Sequence, residues 1–148
     1  MTISARNPRA LSRIGSYAVL ICEAWFTLVM AQLTVHFVPF KYYARHLSGQ
    51  GQQREAPKLL AHRLRRIIHI AGRLFPRPPK CLARAMTAQA MLARRGYASV
   101  LTLGVADTDS ALKAHAWLAA GGVIVTGRAE MERYARVADF GTRAAPSD

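Results

Sequence analysis

Two residues in this chain have the type and setting of a nucleophile and its base, Cys81 and His115. Cys81 follows Pro78-Pro79-Lys80. Prolines resist helical continuation and push the preceding residue toward extended geometry, so a helix is expected to begin within a residue or two of the thiol. Leu82, Ala85, Met86, Gln89 and Leu92 then recur at helical spacing until Gly96, a residue suited to a C-terminal stop. In the first turn of a helix, unpaired N–H groups and the positive end of the dipole favour a thiolate, and Lys80 adds a neighbouring positive charge. The competing role is a small buried hydrophobe, the commoner use of cysteine.

His115 lies in Lys113-Ala114-His115-Ala116-Trp117-Leu118, which is followed by Gly121-Gly122 and Val123-Ile124-Val125. Apolar β-formers on both sides of a Gly-Gly step predict a hairpin, with His115 and Trp117 on the same face of its first strand. A thiol on a helix and an imidazole on a strand are the parts of a papain-like or transglutaminase-like nucleophile. Imidazole takes the thiol proton, holds the ion pair and then protonates the leaving amine. Trp117 either shapes the cleft or fills the core.

Other elements must position these two groups. Residues 58–75 have Leu60, Leu64, Ile67, Ile68, Ala71, Leu74 and Phe75 on one helical face and His62, Arg66, His69 and Arg73 on the other, the pattern of an amphipathic helix with a solvated side. Residues 16–40 are the most apolar stretch. Glu23, Gln32 and His36 interrupt it, no small-residue cleavage site follows it, and a buried helix is expected rather than a signal or a membrane span. Glu23 is read as a satisfied structural carboxylate. Residues 98–105 are expected as a strand, Asp107 and Asp109 as turn residues, residues 112–125 as the His hairpin and 129–136 as a short helix. Residues 41–58, which carry Ser48 to Gln53, read as a flexible polar loop ending at Pro57. A basic, flexible arm over 1–15, one domain over 16–140 and a polar tail over 141–148 complete the reading. The expected fold class is α+β, with N-terminal helices followed by a papain-like or transglutaminase-like core whose cysteine helix packs on a small antiparallel sheet.

Cys81-Leu82-Ala83-Arg84-Ala85, Arg94-Arg95-Gly96-Tyr97-Ala98, the strand ending Leu103-Gly104-Val105, Ala114-His115-Ala116-Trp117 and the N-terminal Glu23-Ala24-Trp25 helix together resemble the transglutaminase-like leader peptidases of lasso-peptide biosynthesis. The resemblance runs from about residue 18 to 140. It implies Cys81 as nucleophile, His115 as base, no cofactor, and a precursor leader peptide as substrate. It also implies a separate leader-binding protein, because the chain is too short for an added domain of that kind, and an ATP-dependent cyclase that closes the ring afterwards. The family usually places an acid on the strand after the histidine, and this chain has Val125-Thr126-Gly127 there. Thr126, a backbone carbonyl, or a carboxylate from Glu130 or Asp139 is left to orient the imidazole.

At 148 residues and 51% apolar composition the chain suits one ordinary folded domain. Cys22 and Cys81 show neither a disulfide framework nor metal-ligand spacing, which fits a cytoplasmic setting. His62 and His69 lie seven apart with no third ligand in view, so no metal is expected. The formal charge of +13, with Arg63, Arg65, Arg66, Arg73 and Arg77 just before the cysteine, steers anionic partners. No recognised nucleic-acid motif accompanies it, and no specific nucleic acid is expected. Two alternatives to a peptidase are a basic, non-enzymatic module associated with membrane or nucleic acid, and a transglutaminase-like acyl transferase.

Overall fold

The structure is a computed structural model that describes residues 8–48, 53–142 and 144, with the backbone alone described over 8–15. Among the described residues, four helices precede a four-stranded antiparallel sheet, which makes the chain α+β. They are α1 (Pro8–Phe37), α2 (Phe40–Leu47), α3 (Lys58–Arg73) and α4 (Cys81–Ala93). The strands are β1 (Ser99–Thr108), β2 (Ala111–Ala120), β3 (Val123–Thr126) and β4 (Ala135–Thr142), in spatial order β3-β2-β1-β4.

Helix α4 starts at Cys81, because Lys80 is still extended (φ −59°, ψ 145°) after the two prolines. It ends in a Schellman arrangement. Gly96 adopts φ 75°, its N–H donates to the Ala93 carbonyl, and the Tyr97 N–H donates to the Leu92 carbonyl. The apolar stripes of α3 and α4 pack with alternate residues of the sheet: Leu64, Ile67 and Ile68 from α3, Met91 and Leu92 from α4, and Leu101 and Leu118 from the strands are essentially inaccessible.

Helix α1 begins at Pro8, inside the stretch expected as an arm, since proline is well suited to a helix's first turn; residues 1–7 of that stretch lie outside the described ones. The expected burial of its apolar run holds along one stripe only. Ala24, Leu28 and Ala31 are buried against α3 and α4, whereas Val19, Phe26, Leu33 and Phe37 are exposed. By length and composition alone, Ser16–Phe37 is sufficient to cross a membrane.

The polar interruptions of α1 serve α4. Glu23 grips its C-terminal end: Oε1 accepts from Arg94 Nε at 3.1 Å and Arg95 Nη1 at 3.0 Å, and Oε2 accepts from Arg95 Nη2 at 2.6 Å. Gln32 Oε1 accepts the backbone N–H of Lys80 at the other end, at 3.2 Å. The two helices therefore run antiparallel. Hydrogen bonding from Arg95 is the largest influence on the Glu23 carboxyl and holds it below its ordinary value of 4.5, against the opposing effect of burial. A depressed carboxyl contributes stability that is complete above its unfolded value and is lost as pH falls through the folded one. Glu23→Gln is accordingly expected to lose about 1.5–3 kcal/mol at neutral pH. In denaturant titrations the gap from wild type should hold steady down to the ordinary carboxylate range and shrink below it.

Three segments differ from expectation. Residues 40–47, at the start of the stretch assigned to a loop, form α2, whose Tyr43 and Leu47 reach the core; positions 49–52 of that loop lie outside the described residues. The short helix expected over 129–136 is a 3-10 turn, Arg128–Arg133, after which the chain enters β4 and adds an edge strand. Residues 135–137 of β4 are exposed on both faces and none of the strand is fully buried, so its sequence lacks the alternation that marks a half-buried strand. The strand also takes up Gly141 and Thr142 from the expected tail, of which 143 and 145–148 lie outside the described residues.

Candidate active site

The predicted hairpin is present as β2 and β3. Gly121 and Gly122 both have positive φ, 56° and 73°, the combination a two-residue primed turn requires. Along β2, Ala116, Leu118 and Ala120 belong to the main core, and His115 and Trp117 alternate to the other face with their ring centroids 6.1 Å apart. Trp117 is buried and stands outside the cleft lining. Its indole fills the space left by Gly104, where an added Cβ would lie 2.7 Å from the ring, and it supports His115 from behind. Tyr134, with its ring centroid 5.0 Å from that of His115, flanks the imidazole as well.

Cys81 from the helical layer and His115 from the sheet line one cleft of about 840 Å³, which opens where β3 ends. Cys81 is half-buried and has a free thiol, and α4 has no side-chain cap at its N-terminus. Its first-turn N–H groups are therefore not taken up by a capping oxygen. Such donors suit the oxygen of a tetrahedral intermediate formed on the sulfur.

The imidazole is fixed by the backbone. His115 Nε2 lies 2.9 Å from the carbonyl oxygen of Gly127, and since a carbonyl only accepts, Nε2 carries the proton. Nδ1 is then the basic nitrogen of the neutral ring. Gly127 closes the Val125-Thr126-Gly127 stretch in which the resemblance leads one to look for an acid. It has φ 80°, and a Cβ there would lie 2.5 Å from the Ala116 carbonyl oxygen and 2.8 Å from Trp117 Cβ, so no side chain fits.

The other candidates for orienting the ring stand as follows. Thr126 lines the cleft next to this carbonyl, and its buried Oγ1 has no hydrogen-bond partner among the described residues. Glu130 also lines the cleft, from the exposed 3-10 turn. Asp139 is on β4, two strands from β2. Its Oδ1 accepts from Thr102 Oγ1 at 2.7 Å and pairs with Arg136 Nη2 at 3.5 Å. Thr126→Val tests the hydroxyl directly. Removing an unpartnered buried hydroxyl is expected to leave stability within about 1 kcal/mol or raise it. If the Gly127 carbonyl orients the ring, kcat stays within about threefold of wild type; a larger fall with stability intact would give that role to Thr126.

The residues 26–139 match the model of a family described as the transglutaminase-like superfamily. The chain belongs to the transglutaminase-like superfamily. No curated protein and no solved structure matches it. The superfamily includes cysteine peptidases and acyltransferases, both of which work through a thiol acyl-enzyme. In this transglutaminase-like chain a wall of the cleft that sequence reasoning treated as a solvated helix face is supplied by α3. His62, Arg65, Arg66 and His69, spaced three and four apart, all line it. The signal was present in the clustering of arginines before Cys81, but helical periodicity does not say which polar face meets a cleft. Among the described residues no three His, Cys, Asp or Glu side chains converge in a way that could hold a metal ion.

Proposed function

We propose that the protein is a cysteine peptidase that removes the leader from a lasso-peptide precursor. The observation that carries this reading is a cleft holding a helix-N-terminal thiol together with an imidazole whose Nε2–H is committed to a backbone carbonyl. Nδ1 of His115 accepts the Cys81 proton, and Sγ attacks the carbonyl carbon at the leader–core junction. The first-turn N–H of Cys81 receives the oxyanion. As the C–N bond breaks, the imidazolium returns its proton to the departing amine, and water then attacks the thioester with His115 as base. The freed core amine passes to a separate ATP-using cyclase, and a small leader-binding protein delivers the precursor, all in the cytoplasm. The sequence resemblance supports the peptide substrate and these partners; the superfamily membership supports the acyl-enzyme chemistry.

The test is mass-spectrometric analysis of the precursor peptide encoded beside the gene, incubated with the neighbouring leader-binding protein and with wild type, Cys81→Ala or His115→Ala. Cleavage at one junction by wild type alone is the expected result. Equal cleavage by all three, or none, would sink the peptidase. Product carrying an added amine in preference to water would instead make the enzyme an acyl transferase.

One observation favours a second reading, membrane association through α1. Its outward face displays Phe26, Met30, Leu33 and Phe37, and Ser16–Phe37 has the length of a span. Flotation with anionic and with neutral vesicles would reveal it.

A further inference from the structure

The cleft is strongly basic. Arg65 and Arg66 project from α3, Arg84 from the first turns of α4 and Arg128 from the 3-10 turn, and Glu130 is the one carboxylate among the lining residues. None of these four arginines is in an ion pair among the described residues. By contrast, Arg94 and Arg95 at the other end of α4 both pair with Glu23.

Arg84 is the informative member. Its guanidinium is seated against Gly72 of α3, where a Cβ would come within 3.6 Å of Nη2, and it is three residues along the helix from the nucleophile. Its Nε is buried and has no acceptor among the described residues. A buried guanidinium N–H without a partner is rare in a folded protein, because the group has lost its water and gained nothing in return. Held in place by packing and pointing a fork of donors into a cleft, it matches a planar carboxylate, which it can meet with two parallel hydrogen bonds.

We infer that the arginines lining the cleft form an anion subsite that seats an acidic side chain of the peptide substrate close to the bond under attack. The inference rests on the peptidase reading for the nature of the substrate, and on the structure for the charge. A cleft of about 840 Å³ encloses a few peptide residues. A nucleic-acid duplex needs instead an open track of phosphate contacts along a surface. Arg65 and Arg66 are exposed at the rim and set the field that draws the acid in, and Arg84, deeper, pairs with it.

The chemistry of Cys81 itself reports on this subsite without any need for cleavage. In a Cys22→Ser background, alkylation of Cys81 by iodoacetate and by the neutral iodoacetamide is timed by mass spectrometry. N-acetylcysteinamide serves as the free-thiol reference. The iodoacetate-to-iodoacetamide rate ratio is expected to exceed that of the free thiol by about tenfold at low salt and to fall as salt rises. Arg84→Gln should remove most of that preference. Arg65→Gln with Arg66→Gln, on the exposed rim where folding is not at risk, should remove part of it. Arg45→Gln, outside the cleft, should leave it unchanged. A blocked Gly-Asp-Gly-Glu-Gly peptide should protect Cys81, and its Asn/Gln counterpart should not.

A ratio equal to that of the free thiol, or one indifferent to the cleft arginines, would overturn the subsite. So would protection by a single-stranded oligonucleotide where the acidic peptide gives none. The two readings fail separately: cleavage by wild type without any anion preference removes the subsite alone, and an anion preference without cleavage removes the peptidase and leaves the subsite standing.

Discussion

Cys81→Ala is expected to reduce kcat/KM for leader cleavage by about 10⁴- to 10⁶-fold, and His115→Ala by about 10²- to 10⁴-fold. The first change deletes the atom that forms the acyl-enzyme. The second leaves the thiol and its helix N-terminus in place and removes the proton carrier, so a small residual rate is expected to survive. The two groups act as a unit, and the double variant should be no slower than Cys81→Ala alone. Neither residue belongs to the fully buried core: His115 lies on the sheet face away from it, and Cys81 packs against its margin half-buried and keeps its Cβ in alanine, so unfolding free energies should stay within about 1 kcal/mol of wild type. Single-turnover kinetics with denaturant unfolding on the same samples checks both halves. Full activity in Cys81→Ala would sink the nucleophile. Activity that instead followed salt and the arginines would point to a basic binding module.

Gly127→Ala is expected to cost about 2–5 kcal/mol of stability and, in the fraction that folds, about 10²-fold in kcat. Gly127 has φ 80°, which side chains with a Cβ rarely adopt, and the new methyl would meet the Ala116 carbonyl and Trp117. Relief requires this segment to move away from β2, and the carbonyl that fixes His115 Nε2 moves with it. Gly96→Ala is the control. Its φ is 75°, but nothing lies within 4 Å of an added Cβ, so strain alone applies, about 1–2 kcal/mol, with no effect on kcat. If Gly127→Ala lowered stability while kcat stayed at the wild-type value, the carbonyl would not be what orients the imidazole. Gly127→Asp meets the same collision and is expected to gain nothing from its carboxylate.

Much of this site was legible before any coordinates. Pro78-Pro79 dictated where the cysteine helix begins, because the φ restriction of proline acts locally. Gly96 and Gly121-Gly122 marked a helix end and a hairpin, because positive φ is a local demand that glycine meets. The burial of α1 was less legible. Hydropathy states that a segment is apolar but not how many neighbours will cover it, and α3 and α4 cover α1 along one stripe. Strand β4 was missed for a related reason, since an edge strand whose first three residues are exposed on both faces has no period-two pattern to read.

The amino-acid sequence by itself determined the thiol at a helix start, the imidazole on a hairpin strand and the strongly basic balance, all of which follow from local backbone rules and composition. Only the tertiary structure decided three further things: that a backbone carbonyl orients His115, that Glu23 and Gln32 clamp the two ends of the cysteine helix, and that the arginine face of α3 turns into the cleft rather than to open water. Each depends on groups 12 to 72 residues apart in the chain, or on which side of a helix meets its neighbour. Such pairings are set by how the helices dock on the sheet, and no periodicity within a single segment records them.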